Sequence, residues 1–174
     1  MKFKSLTLVF LFFSLVAFSQ NEVNRGYHVK VGDKAPNITL HLTNGTTTTI
    51  DQLRGKVVVL QFTASWCPVC RREMPHLEKE IWEANKNKNF LLIAVDFKQP
   101  QDTAVAFKKE MKITYPMAVD PSGSEFFQFA DKNAGVTRNI VIDQYGKIAF
   151  LTRLYNRNEF LAMKKEIGKL LKKN

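Results

Sequence analysis

The heptapeptide Ala64-Ser65-Trp66-Cys67-Pro68-Val69-Cys70 constrains this chain more than any other stretch, because it stands where a buried strand gives way to a helix. Residues 57–62 read as one continuous apolar run opened by Gly55, the pattern of a strand covered on both faces. From Pro68 to about Asn85 the pattern turns helical, with Met74, Leu77, Ile81 and Trp82 on one face. Cys67 therefore falls at the helix N-cap and Pro68 at the first helical position, where its missing N–H costs nothing. The unpaired N–H groups and the dipole of a helix start favour negative charge, so Cys67 ionises more readily than a free thiol. Cys70, one turn further in, is more shielded and placed to resolve a mixed disulfide formed at Cys67.

The rest of the chain supplies a frame for that junction. Residues 38–42 alternate, Asn44-Gly45 marks a turn, and residues 46–50 are rich in β-branched side chains, which together predict a β-hairpin ahead of the dithiol. A second buried strand follows at 90–95, a helix at 102–111 and a short strand ending at Asp120. Residues 140–142 and 147–152 form an antiparallel pair joined at Gln144-Tyr145-Gly146, and 158–171 closes the chain as a basic amphipathic helix. This order predicts a single α/β domain, a mixed sheet covered by helices, spanning 29–174.

The first nineteen residues have a different logic. Lys2 and Lys4 precede an apolar run over 6–18, and Ala17-Phe18-Ser19 presents small residues at the two positions a signal peptidase reads. That pattern predicts a secretory signal over 1–19, cut before Gln20 and followed by a mobile lead-in over 20–28. The run is shorter than the ~20 residues a membrane span needs. No cysteine follows the cleavage point, so no lipoprotein is indicated, and the membrane is met only through the signal if it stays uncleaved. The net charge of +10 is spread along the chain without interleaved aromatics, which reads as a solvated surface and not as a nucleic-acid interface.

Export sharpens the meaning of the two cysteines. An oxidising compartment ordinarily implies structural disulfides, but a bridge between cysteines with only two residues between them closes almost no loop and constrains the unfolded chain little. Its purpose is chemical. A zinc site would need two further ligands, and His28, His41 and His76 are the only histidines. A peroxidatic cysteine of the peroxiredoxin kind would need Pro and Thr where Leu60 and Ala64 stand. Glu73, three residues after Cys70, shares its helix face. There it is either a proton acceptor for the buried thiol or a surface carboxylate paired with Arg71, Arg72 or Lys79.

The ten residues from Trp66 to Pro75, Trp-Cys-Pro-Val-Cys-Arg-Arg-Glu-Met-Pro, resemble the active-site signature of the TlpA/ResA-like branch of the thioredoxin superfamily. Residues 29–36 resemble that family's opening segment, Tyr115-Pro116 with Asp120 its middle strand, and Val141-Ile142-Asp143 with Gly146-Lys147-Ile148 its closing hairpin. The resemblance implies a thioredoxin-like fold and periplasmic dithiol chemistry. Protein disulfides, as in cytochrome c maturation, would be the substrates, and an extracytoplasmic or membrane thiol the electron donor. It implies no cofactor beyond a redox-active Cys67–Cys70 disulfide and no metal, and it favours the proton-handling role for Glu73. Pro75 is expected to kink the helix. Trp66 either lines the partner groove, with Pro68, or is a plain core tryptophan. A dithiol-dependent peroxidase and a non-catalytic binding module are the rival readings.

The family's cis-proline is missing. Counting back six residues from Asp143 reaches Thr137, and no proline follows Pro121. A cis bond before a non-proline residue costs ~3 kcal/mol, so Thr137 is expected to be trans or strained, leaving Cys67 less covered. Thr137 and Arg138 are then candidates to meet substrate, with Arg138 near the thiolate.

Overall fold

A computed structural model describes residues 25–172; the expected signal over 1–19 and the first part of the lead-in lie outside them. A seven-stranded mixed sheet organises the chain, in the order β2-β1-β5-β4-β3-β6-β7. The hairpin strands are β1 (Thr39–Leu42) and β2 (Thr47–Thr49). The centre is β3 (Val57–Thr63), β4 (Phe90–Phe97) and β5 (Met117–Asp120), mutually parallel. Antiparallel to β3 runs β6 (Arg138–Ile142), which pairs in turn with β7 (Ile148–Leu151).

The parallel strands follow one another across the sheet, so right-handed crossovers put both connecting helices on one face. These are α1 (Pro68–His76) and α3 (Gln101–Glu110), with the short α2 (Glu83–Asn85) between them. The closing helix α4 (Arg157–Lys172) joins the same face. Met74, Leu77 and Ile81 pack there with Phe107, Phe160, Met163 and Ile167 against Val57, Val59, Leu92 and Ala94. Each such fully buried side chain contributes on the order of 2 kcal/mol. The opposite face is covered mainly without long helices, by Ala35, Ile38 and Phe126 to Ala130 over Leu60, Phe62, Ile93, Val95 and Ile140. Both faces of β3 are thereby closed, and every one of its residues is buried.

Two expectations change in detail. The helix predicted from 68 to 85 is not uniform: α1 passes through Pro75 and opens into a π-helical turn over Leu77–Trp82 before α2. Pro75 supplies no N–H to the carbonyl four residues back, and Leu77 N–H answers by sharing itself between the carbonyls of Glu73 and Met74. The end of the expected mobile lead-in is tied down: His28 N–H donates to Phe129 O at 2.8 Å and the Tyr27 hydroxyl to Thr152 O at 2.6 Å.

Candidate active site

Strand β3 delivers the dithiol to the C-terminal edge of the parallel strands, where loops converge. Ser65 anchors the turn between β3 and α1. Its N–H donates to Gln99 Oε1 and Gln99 Nε2 returns a bond to its hydroxyl, both at 2.7 Å, while Arg71 Nε donates to its carbonyl at 2.7 Å. Arg71 is in turn held by Glu110, through bonds of 2.5 and 2.9 Å, so it braces this loop.

Cys67 is the N-cap of α1, with φ −91° and ψ 109°, and its Sγ accepts the Cys70 N–H at 3.2 Å. Both thiols are free. The Thr137 hydroxyl lies 3.1 Å from Cys67 Sγ and 2.9 Å from Cys70 Sγ. The Cys70 thiol, donating to Cys67, pulls the Cys67 pKa well below that of an ordinary thiol against the opposing effect of burial; the Thr137 hydroxyl and the N–H groups of Cys70 and Val69 add to it. Cys70 is pushed strongly upward by the same bond to Cys67 and by burial. One thiolate and one thiol is the state this geometry favours. The Thr137 hydroxyl has one proton to give, and the ionised Cys67 is the stronger acceptor of the two sulfurs it touches.

Thr137 therefore does not occupy the place expected of it. It is fully buried and covers the dithiol instead of lining an open groove, and Cys67 is only 6% exposed, not uncovered. No peptide bond among the described residues is cis, and Thr137 has φ +70°, a rare and strained setting for a β-branched residue. Its N–H donates to Phe62 O and its carbonyl accepts from Leu154 N–H, which holds it there. The expectation for Arg138 also fails. Arg138 opens β6, its Nε donates to Gly135 O at 2.9 Å and its guanidinium stacks 4.4 Å over the Tyr27 ring instead of bonding to either sulfur. Trp66 is 61% exposed at the rim beside Cys67, which excludes a core tryptophan, and Pro68 is exposed with it.

Glu73 is buried at 1% exposure under the dithiol, and none of Arg71, Arg72 or Lys79 pairs with it. Its Oε1 accepts from Asn139 Nδ2 at 2.7 Å, and Asn139 is steadied by Thr152 Oγ1 at 2.9 Å. The other oxygen, Oε2, has no partner among the described residues. Burial raises the Glu73 pKa to about 7, against the lowering effect of the Asn139 bond. Nearby, the Tyr115 hydroxyl donates to Gln61 Oε1 at 2.9 Å. Asp96, opposite Thr63 in the next strand, is a second buried carboxyl, raised to about 7 by burial. The arrangement offers a nucleophile, a resolving thiol and a carboxyl that changes charge near neutrality.

Removing only the Thr137 hydroxyl tests its share. In Thr137→Val the Cys67 pKa is expected to rise by about one unit, the worth of one hydrogen bond to a charged group. Thiolate absorbance followed against pH reads it directly; an unmoved titration would show that the hydroxyl contributes nothing to the thiolate.

Comparison with known proteins agrees with this geometry. The Redoxin family model matches residues 30–171. The thiol-disulfide oxidoreductase ResA of Halalkalibacterium halodurans is 29% identical over 119 residues, covering 68% of this chain and 66% of that protein. The solution structure of a proposed protein disulfide isomerase from Bacteroides thetaiotaomicron superposes with a TM-score of 0.82 at 49% identity, over 84% of this chain and 93% of that one. A proposed thiol:disulfide interchange protein DsbE from Chlorobium tepidum gives 0.72 at 26% identity, over 82% and 99%. A match over most of its length, with the Cys67–Cys70 pair at a strand-to-helix junction, makes this chain a thiol–disulfide oxidoreductase of the Redoxin family.

Proposed function

We propose that the protein works outside the cytoplasm as a reductase of protein disulfides, with Cys67 attacking, Cys70 resolving and Glu73 taking the proton. One observation carries the assignment of roles: a single hydroxyl, that of Thr137, touches both sulfurs in a site where one thiol is driven to ionise and the other to stay protonated. Cys67 thiolate attacks the substrate disulfide and expels one substrate thiolate. Cys70 then attacks Cys67 Sγ, releases the second substrate thiol and leaves the Cys67–Cys70 disulfide. A thiol donor outside the cytoplasm restores the dithiol. Apocytochromes c and other exported proteins with paired cysteines are the substrate class. Export is supported by the sequence pattern over 1–19, and among the described residues no helix is long and apolar enough to cross a membrane.

A second reading has its own support. Stabilising the Cys67 thiolate also stabilises the reduced form, which moves a couple toward oxidase or isomerase work. The reduction potential of the Cys67–Cys70 couple separates the two. A reductase is expected below about −250 mV, and a value near the −120 mV of a strong oxidant would overturn the reductase assignment.

A further inference from the structure

Behind the Thr137 loop, on its side away from the dithiol, a cavity of about 240 Å³ opens between the first described residues and the 131–138 segment. Arg25, Gly26, Asp131, Asn133, Arg138 and Arg153 line it. Arg138 is the unusual member. It is 1% exposed, its Nε donates to Gly135 O at 2.9 Å and its plane rests on Tyr27, yet neither Nη atom has a hydrogen-bond partner among the described residues. Gly26, at φ +72°, keeps space open in front of it, since a Cβ there would come within 3.2 Å of Nη2.

Charge around the cavity is unbalanced. Arg25 is compensated by Glu159 at 2.6 Å, and Asp131, the one carboxylate among the described residues of the lining, offsets only one of the two arginines that remain. Arg153 has no ion-pair partner among the described residues, and Arg25 and Arg153 both act on Arg138 as like charges. A buried guanidinium whose Nη atoms meet no full acceptor, only the Tyr27 hydroxyl and ring beside them, is unfavourable unless an oxyanion joins them. The fork's geometry suits a carboxylate or a phosphate held by two parallel bonds. We propose that this cavity is an oxyanion site, in which a carboxylate or phosphate group sits on the Nη atoms of Arg138 with Arg153 as the second cation. The site is independent of the redox chemistry, although it lies one residue from the threonine that touches both sulfurs.

The test is a titration of the purified protein with inorganic phosphate, and separately with a short peptide ending in glutamate, against chloride at matched ionic strength. Saturable shifts of the Arg138 side-chain N–H and Gly26 amide resonances are expected. Arg153→Gln should weaken binding at least about fivefold through the lost charge, and Arg138→Gln should abolish it. Shifts that do not exceed those in chloride, or an affinity unchanged in Arg153→Gln, overturn the proposal. If Arg138→Gln fails to fold, Arg153→Gln decides alone. Tighter binding of the peptide assigns the site to acidic polypeptide, and tighter binding of phosphate to a free anion. Binding that persists in Cys67→Ser separates the site from any failure of the reductase reading.

Discussion

Cys70→Ser is expected to lower turnover at least about a thousandfold while leaving one nucleophilic attack intact. The two cysteines are not equivalent in this fold. Cys67 holds the N-cap, keeps a few per cent of its surface open and is pulled toward the thiolate, whereas Cys70 is fully enclosed and pushed toward the thiol. A serine hydroxyl at position 70 can still donate to Cys67, and the backbone N–H that reaches Cys67 Sγ is untouched by the substitution. Attack on a substrate disulfide therefore proceeds, but nothing inside the protein can displace the adduct. Mass spectrometry should find a stable mixed disulfide at Cys67 in stoichiometric yield, released only by added thiol. Cys67→Ser should form none. If the serine variants behave the other way round, with adduct forming at Cys70, the assignment of attacking and resolving thiols is wrong.

The geometry behind that assignment was legible in the sequence because it rests on local spacing: an N-cap, a proline at the first helical position and a second thiol one turn on. Glu73 was legible to the level of its helix face, but the choice between buried acceptor and surface ion pair needed a partner 66 residues away, Asn139. Thr137 was located by counting to a family position, yet its hydroxyl bridge to both sulfurs depends on how β6 docks against β3. Counting along a chain does not show where a long side chain turns, and Arg138 is found bonded to Gly135 and stacked on Tyr27. Asn139 carried a signal of its own, a polar side chain in a fully buried strand, and it has its polar partners in Glu73 and Thr152. Gln61, taken into a continuous apolar run, was the same kind of signal: a polar residue in a fully buried strand needs a polar partner, and it has one in Tyr115. The helices falling on a single face followed from strand order, which no local pattern contains.

Glu73→Gln is expected to stabilise the protein and slow it at the same time. An unfolded glutamate gives up its proton around 4.5, whereas burial holds the Glu73 proton until about 7. Between those values the native state binds the extra proton, so stability falls as pH rises through the window and the loss is complete above it. For a carboxyl buried this deeply the loss is about 3 kcal/mol. Glutamine has the same shape and no charge to expose, so denaturant midpoints should coincide near pH 4 and separate in the variant's favour by pH 8. Asp96 is unchanged in both proteins, and its own pH dependence cancels from the difference. The kinetic consequence has the opposite sign. Below about pH 7 the neutral Glu73 cannot take a proton from Cys70; above it the carboxylate can, through the oxygen that has no other partner. Disulfide release from a trapped substrate should therefore accelerate through pH 7 in the native protein. In Glu73→Gln that rise is lost, and at pH 8 release should be slower by about a hundredfold, the usual worth of a general base. A gain in stability with an unaltered pH–rate profile would leave Glu73 as a buried acid with no part in the proton transfer.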